Sequence, residues 1–358
     1  MNVMMMPDYR MDNPYQTLLA NALQAEGVAV YFPQGYRRVL PIWRAVRQQP
    51  VAIAVLHLHW VNPYLKGSDW LTRLVYSIKF LLDVLMVRLS GVRVVWTVHN
   101  RIAHETHFPR LERWTQQMLA HLVDRLIVHH QSALNELVQS YRLDQFRVEV
   151  IPHGHYREAY GAAINALEAR RLLNLPLTGR LYLHLGMLRP YKGIEHLLQV
   201  WQEQKSILEG NTLVIAGKPL DAGYGEKLER LAALAGAILH SGFIEGDRIP
   251  LYFSAADVVV LPFKAILTSG SLILAMSYGK PVIAPRTDTI VETLGAADWL
   301  LYDPQDEQGL LYALKDSTQV DLDGLSRLMM QECDRLDWRY IAKETQQTYR
   351  ARFKRYFR

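Results

Sequence analysis

The sequence predicts an α/β protein built from two doubly wound, Rossmann-like domains that face each other across a cleft. Short runs of β-branched and aliphatic residues alternate with amphipathic helical patterns, which is typical of parallel sheets with crossover helices. The alternation stops in a polar stretch around 156–178 and then restarts. A chain of 358 residues is also longer than one hydrophobic core usually supports.

The first series of strands defines a domain that we place at 1–160. The N-terminal residues MNVMMMPDYR predict a first buried strand. Four buried strands follow, in VAIAVLHLHW (51–60), VRVVWTVHN (92–100), RLIVHH (125–130) and VEVIPHG (148–154). Ligands of such folds bind beyond the carboxyl ends of the strands, so the site is expected there.

The second series defines a domain that we place at 161–336. Its strands are predicted in RLYLHLGML (180–188), NTLVIAG (211–217), AILHSGF (237–243), DVVVLPF (257–263) and KPVIAP (280–285). The final segment, 337–358, is helical in pattern and strongly basic at its end. We expect it to pack back onto the first domain.

The cysteine count and the charged residues exclude several classes of protein. Cys333 is the only cysteine, so an intrachain disulfide is impossible and a cytoplasmic location is the expectation. The 40 Lys and Arg exceed the 35 Asp and Glu by too little to predict a nucleic-acid partner. Charges interrupt the apolar stretch 71–91, which therefore predicts a buried or interfacial helix and excludes a membrane-spanning one.

A phosphate site is predicted in the second domain. Arg189 and Lys192 lie between a strand and a helix, where cationic side chains and a helix N-terminus both favour anions. A second helix there starts at the small residues Thr268, Ser269, Gly270 and Ser271, whose N–H groups and hydroxyls could reach phosphate oxygens. Solvated loop cations and a simple Thr268 N-cap are the alternatives.

The order of these motifs resembles the nucleotide-sugar domain of glycosyltransferases of the GT-B fold, family 4 type. G-x-x-R-x-Y-K-G, VIAG, GFIEGDRIPLYFSAADVVVLPF, the small-residue loop and GKPVIAP carry the resemblance from 186 to 285. It implies that Arg189, Lys192 and the loop 268–271 bind the donor diphosphate, with Gly186 beside them. It also implies that Phe243 and Ile244 contact the nucleotide base through main-chain atoms.

The same comparison shows a departure from the family pattern. Retaining members usually carry two glutamates eight positions apart, and the corresponding positions here hold Ile266 and Leu274. The usual sugar and ribose contacts are therefore missing, and an inverting mechanism becomes credible.

The resemblance extends to the first domain, where family members place a histidine near the donor sugar. This implies a catalytic role for His99, with Asn100 and His104 lining the cleft. Glu105 has the chemistry of the general base that inversion needs, and Asp12 is the reserve candidate. The structural alternative for Glu105 is an ion pair with a nearby arginine.

For the other histidines at strand ends, the sequence gives less reason to predict a functional role. Alternation directs His57 and His59 to one face of their strand, with His59 toward the cleft. A metal site there is disfavoured because no cysteine or carboxylate lies close in sequence. His129 and His130 are candidates for lining the cleft, and His153 is expected to be architectural.

These observations predict a metal-independent hexosyltransferase without a cofactor. It would transfer a hexose from a GDP- or UDP-sugar to a glycan or lipid-linked glycan hydroxyl, in polysaccharide or glycolipid biosynthesis. Helix 71–91 and the basic C-terminus suggest peripheral contact with the inner face of the cell membrane. The alternatives are a retaining enzyme, a non-catalytic nucleotide-sugar-binding partner subunit and an epimerase.

Overall fold

The computed structural model describes residues 1–35, 39–99, 108–204, 208–264 and 269–351. In chain order its strands and helices are β1 (Asn2–Met6), α1 (Tyr15–Ala25), β2 (Ala29–Tyr31), α2 (Pro41–Arg47), β3 (Val55–Leu58), α3 (Trp70–Leu89), β4 (Arg93–Thr97), α4 (Pro109–Leu122), β5 (Arg125–Val128), α5 (Gln131–Tyr141), β6 (Val148–Val150), α6 (Ala166–Leu172), β7 (Leu181–Leu185), α7 (Ile194–Glu203), β8 (Thr212–Gly217), α8 (Ala222–Ala235), β9 (Ile238–Ser241), α9 (Ile249–Ala255), β10 (Val258–Val260), α10 (Gly270–Ser277), β11 (Val282–Pro285), α11 (Asp288–Leu294), β12 (Leu301–Tyr302), α12 (Gly309–Asp316), α13 (Leu322–Asp334) and α14 (Trp338–Arg350).

The chain divides into two compact units. One comprises Met1–Gly154 and the segment from Leu336 onward, and the other comprises His155–Arg335. The division after Gly154 falls a few residues before the boundary at 160 that the sequence predicts. We call the units the first and the second domain.

The described strands form one six-stranded parallel sheet in each domain, and the predicted α/β class is confirmed. The first sheet has the order β2-β1-β3-β4-β5-β6 and the second has the order β12-β11-β10-β7-β8-β9. The strand order reverses between β1 and β3 in the first sheet and between β7 and β10 in the second. Such switch points open a crevice beyond the strand ends, which is where doubly wound folds bind ligands.

The central strands β3 and β7 are buried on both faces, as is typical of parallel sheets in α/β folds. In the first domain Val3, Met5, Val55 and Val95 belong to a cluster that also includes residues of α1. The second domain has its own core around β7, β8 and α7.

Helix α14 belongs to the first domain although it lies at the far end of the chain. Asp337 caps its N-terminus by accepting hydrogen bonds from the N–H groups of Arg339 and Tyr340. Its buried face packs on α1 and contributes Trp338, Ile341 and Tyr349 to the first core. The hydroxyl of Tyr349 is hydrogen-bonded to Nδ1 of His57 at 2.6 Å.

Candidate functional site

The second-domain site is built where β7 ends, next to the switch point of its sheet. The chain leaves β7 at Gly186, whose φ of 140° is a conformation that favours glycine. A β-carbon at Gly186 would lie 2.8 Å from Nζ of Lys192 and 3.3 Å from Oγ of Ser271. The structure therefore brings together Gly186, Lys192 and Ser271 from two motifs that are almost 80 residues apart.

Close backbone approach fixes Lys192 in this position. Lys192 ends a short 3₁₀ turn, Pro190–Lys192, and Gly193 then starts α7 with φ of 72°. A β-carbon at Gly193 would lie 2.0 Å from the carbonyl oxygen of Pro262, so only glycine fits between this turn and the segment after β10. Arg189 precedes the turn and is half-buried.

Lys192 is a buried cation, with 7% of its surface exposed. Burial, together with the nearby charge of Arg189, lowers its pKa to about 8. No carboxylate within the described ranges forms an ion pair with Nζ. Because burying a charge without a counter-charge is costly, this arrangement favours an anionic ligand beside Gly186.

Helix α10 begins next to the Lys192 ammonium. Ser269 is its N-cap and accepts a hydrogen bond from the N–H of Leu272 at 3.1 Å. The N–H groups of Gly270 and Ser271 belong to the first turn and have no acceptor within the helix. They are available to an anion, as the helix dipole also favours. Thr268, for which the sequence left a simple N-cap role open, lies outside the described residues.

Leu274 clarifies the departure from the family pattern. It is buried in the apolar middle of α10, with 7% of its surface exposed. A glutamate would have to be desolvated at this position, whereas leucine contributes to packing. Ile266, the other position concerned, lies outside the described residues.

The predicted base-contacting residues follow β9. Phe243 has 66% of its surface exposed and Ile244 is half-buried. Their position at the carboxyl edge of the sheet suits a contact with a nucleotide, and this role stays a prediction.

In the first domain, a histidine follows shortly after each of four neighbouring strands. His59 follows β3, His99 follows β4, His129 follows β5 and His153 follows β6, and all four are buried. We call these residues the histidine cluster. The ring of Tyr15 contacts every member, at centroid distances between 4.7 and 5.9 Å.

Three members of the cluster form a hydrogen-bonded chain. Nδ1 of His129 is 2.9 Å from the carbonyl oxygen of Ile151, Nε2 of His129 is 3.3 Å from Nδ1 of His99, and Nε2 of His99 is 3.1 Å from Nδ1 of His59. A carbonyl oxygen only accepts, so His129 must donate through Nδ1. In neutral rings the other contacts follow: His99 donates to His129, and His59 donates to His99.

The far end of this chain is Nε2 of His59. With the proton on Nδ1, Nε2 carries a lone pair, and it is a buried atom without a hydrogen-bond partner among the described residues. A buried polar atom without a partner needs a physical explanation, and a catalytic role is one such explanation. The lone pair that has no partner in this hydrogen-bonded chain therefore belongs to His59.

The contacts of His99 bear on its predicted catalytic role, which stays a prediction. His99 is 5% exposed, both its ring nitrogens are engaged by other histidines, and its ring stacks on Trp60 at 4.2 Å and 13°. It has no ring nitrogen left for a substrate in this arrangement. The sequence did not reveal this because the contacts join strands that are far apart in the chain.

Burial keeps the cluster neutral. It lowers the pKa values of His59, His99 and His129 well below the usual 6.5, and neighbouring histidines lower them further. The pKa of His153 falls to about 4 for the same main reason. The neutral rings assumed for the hydrogen-bonded chain are therefore the expected state at pH 7.

We expect the free energy of unfolding to fall between pH 7 and pH 5. Unfolded histidines take up protons below about pH 6.5, whereas the buried ones stay neutral, so the stability they contribute is complete above that pH and is lost as the pH falls toward the folded pKa values. Each histidine contributes a slope of up to about 1.4 kcal/mol per pH unit. Urea denaturation at several pH values measures this, and a flat profile from pH 7 to pH 5 would contradict it.

The remaining predicted residues of the first domain do not join the cluster in the described structure. Asp12 is exposed in the loop after β1. Asn100, His104 and Glu105 lie outside the described residues. Within the described ranges, no group of three or more His, Cys, Asp or Glu side chains is arranged to hold a metal ion.

Comparisons with known proteins agree with this architecture. The family model "Glycosyltransferase Family 4" matches residues 15–158, and "Glycosyl transferases group 1" matches residues 179–318. The GDP-mannose:glycolipid 4-beta-D-mannosyltransferase of Xanthomonas campestris pv. campestris is 28% identical over 345 residues, covering 94% of this chain and 88% of the relative.

Solved structures support the fold. HepE from Anabaena, in complex with UDP and glucose, superposes with a TM-score of 0.73 at 16% identity and covers 97% of this chain and 98% of its own. Sucrose-phosphate synthase from Thermosynechococcus elongatus gives 0.71 at 17% identity, with 98% of each chain covered. The chain is therefore a glycosyltransferase of the GT-B fold, with a family 4 first domain and a group 1 second domain.

Proposed function

We propose that the chain transfers a hexose from a GDP- or UDP-sugar to a hydroxyl of a glycan or lipid-linked glycan, with inversion at the anomeric carbon. The observation that carries the proposal is the buried Lys192 ammonium, which faces Gly186 and Ser271 beside the start of α10. These groups are the ones that a departing diphosphate requires. The proposed setting is polysaccharide or glycolipid biosynthesis.

The Xanthomonas relative supports both the acceptor class and inversion. Its name specifies GDP-mannose as donor, a glycolipid as acceptor and a β-mannosyl linkage. The mannose of GDP-mannose is α-linked to phosphate, so a β-linked product requires inversion. GDP-mannose is accordingly the first donor to test with this chain.

In the proposed step, the acceptor oxygen attacks the anomeric carbon and forms the new glycosidic bond. The bond from that carbon to the diphosphate oxygen breaks, and the diphosphate leaves with the electron pair. Lys192, Arg189 and the first N–H groups of α10 stabilise the growing negative charge. The acceptor hydroxyl proton passes to a general base, for which Glu105 is the first candidate and Asp12 the reserve.

His59 has a separate role in this proposal. Its Nε2 lone pair accepts a hydrogen bond from a substrate hydroxyl, and the chain through His99 and His129 holds its ring in the required tautomer. The N–H groups of His59, His99 and His129 all point in the same direction along this series of hydrogen bonds, so each bond polarises and strengthens the next. His99 is thus a positioning residue.

The groups that stabilise the leaving diphosphate in this proposal are protein cations and N–H donors. We accordingly propose a metal-independent enzyme without a cofactor. We also propose a cytoplasmic location, which the single cysteine, Cys333, supports. Activity that requires a divalent cation after exhaustive chelation would contradict the metal-independent part of the proposal.

The product of transfer tests the proposed function. Incubation with GDP-mannose and a lipid-linked oligosaccharide acceptor, followed by proton NMR, is expected to show an anomeric configuration opposite to that of the donor. A product that keeps the donor configuration would establish the retaining alternative and remove the need for a base. Thermal shifts with GDP, UDP and ADP identify the base, since a ligand that binds only the folded state raises its stability.

A further inference from the structure

Helix α3 presents an apolar face outward. Six exposed apolar side chains, each between 40% and 73% exposed, follow the three- and four-residue spacing of one helix face: Leu71, Val75, Ile78, Leu82, Met86 and Leu89. At 1.5 Å per residue this face is about 30 Å long. Contiguous exposed apolar surface of this extent marks an interaction site.

The opposite face holds α3 in the first domain. Phe80, Val84 and Val87 are buried, and α3 packs on α2, α4 and β4. The buried carboxylate of Asp83 accepts hydrogen bonds from the N–H groups of Ile42 and Trp43, both at 2.8 Å. The helix is therefore anchored from behind, and its outward face is not needed for that packing.

Charge on the outward face has one sign. In α3, which is described throughout, Lys79 is the one charged residue that is exposed, since Arg73 and Arg88 are half-buried and Asp83 is buried. Its Nζ lies 4.9 Å from the ring centroid of Tyr76. A cation in the middle of an apolar stripe suits an anionic lipid surface, where each lysine contributes about 1 kcal/mol of attraction.

A second copy of the chain fits this face less well. Lys79 lies at the midpoint of the helix Trp70–Leu89. Symmetric pairing of two α3 helices, parallel or antiparallel, would therefore place one Lys79 against the other. Like charges opposed in an apolar contact are unfavourable, whereas lipid phosphates neutralise the same residue.

An apolar pocket of about 170 Å³ continues the surface beside Lys79 and Leu82. Its walls include Val39, Tyr64 and Phe80. The pocket gives a lipid chain a place to enter next to the cation. None of the helices within the described residues is long and apolar enough to cross a bilayer.

We propose that α3 lies in the interface of an anionic bilayer, with its outward face at the boundary between headgroups and acyl chains and Lys79 at the lipid phosphates. Helices of this kind lie about 5–10 Å deep in that boundary. The inference deepens the proposed function, because a membrane-resting first domain would meet a lipid-linked acceptor where that acceptor resides.

Cosedimentation with vesicles tests the proposal. The full chain is expected to bind vesicles of phosphatidylglycerol and phosphatidylethanolamine, and to bind pure phosphatidylcholine vesicles more weakly because Lys79 loses its anionic partner. The double variant Ile78→Glu, Leu82→Glu is expected to bind the anionic vesicles about tenfold or more weakly. Leu234→Glu, at a 59% exposed position of α8, is the matched control and should bind like the wild type.

Three results would overturn the proposal. The wild type could fail to bind anionic vesicles, the double variant could bind as well as the control, or sedimentation equilibrium without lipid could show a dimer that the double variant abolishes. Thermal unfolding checks that the variants stay folded. Hydrolysis of the donor sugar in vesicle-free buffer should be equal in wild type and double variant, so that a failure of membrane binding is distinguishable from a failure of the proposed function.

Discussion

Replacement of Lys192 by alanine is expected to lower kcat/KM for the donor sugar by about 10²- to 10³-fold, because removal of one stabilising group from a developing anion has effects of that size. The ammonium is buried against Gly186 and lies beside the start of α10. Without it, the negative charge of the leaving diphosphate would develop in a site with one cation fewer. Steady-state kinetics with and without acceptor measures the loss.

The pH dependence of diphosphate binding distinguishes this role from a structural one. The pKa of Lys192 is about 8 in the free protein, and a bound anion raises it. The affinity for a nucleoside diphosphate should therefore be highest below pH 8 and should fall as the pH rises above it. Calorimetric titration of Lys192→Ala should lack this fall, and Lys315→Ala, at an exposed position of α12, should keep it.

Unchanged diphosphate binding by Lys192→Ala would contradict this prediction. If Lys192→Ala binds the diphosphate as tightly as the wild type at pH 7, the buried ammonium is not part of the donor site. The equal affinity would also remove the observation on which the proposed function rests, even though the chain would still be a glycosyltransferase by family.

Replacement of His59 by asparagine is expected to lower kcat by about 10- to 100-fold without weakening donor diphosphate binding, since one buried hydrogen bond would be lost. The asparagine amide can still donate toward Nε2 of His99, as Nδ1 of His59 does at 3.1 Å. It has no acceptor where Nε2 of His59 stood. Single-turnover kinetics and calorimetry on the same preparation separate the two effects.

Two further variants of His59 complete the test. His59→Gln places an amide near the former Nε2 and is expected to recover part of the activity. His59→Phe removes both ends of the hydrogen bond and should be at least as inactive as His59→Asn. Wild-type turnover in His59→Asn would show that the lone pair takes no part in the reaction.

The sequence predicted the elements of the fold more completely than their arrangement. Strand-forming runs and intervening amphipathic patterns correctly indicated two parallel sheets, because buried parallel strands are continuous apolar runs. Strand order and the switch points depend on pairing between distant segments, as between β7 and β10. The short strand β12 was missed because Leu301 and Tyr302 alone carry no detectable pattern.

For the candidate site too, local motifs could be predicted from the sequence, whereas contacts between distant segments could not. Arg189, Lys192 and the small residues at the start of α10 belong to local motifs, so they could be found in the sequence. Two features could not be found in this way, because they arise from strands that are neighbours only in the folded sheet. They are the closeness of Lys192 to Ser271 and the lone pair of His59 at the end of the hydrogen-bonded chain. The alternation of His57 and His59 did predict one face correctly, since their ring centroids are 4.2 Å apart.

The return of α14 to the first domain has a consequence for the order of events during synthesis. Trp338 and Tyr349 belong to the core that β1, β3 and α1 begin. The ribosome must therefore make the whole of His155–Arg335 before the first core can close. At translation rates of about 5–20 residues per second, this delay is about 10 to 35 s. Until α14 emerges, the first core lacks Trp338 and Tyr349, so the first domain cannot complete its folding before the second domain has been synthesised.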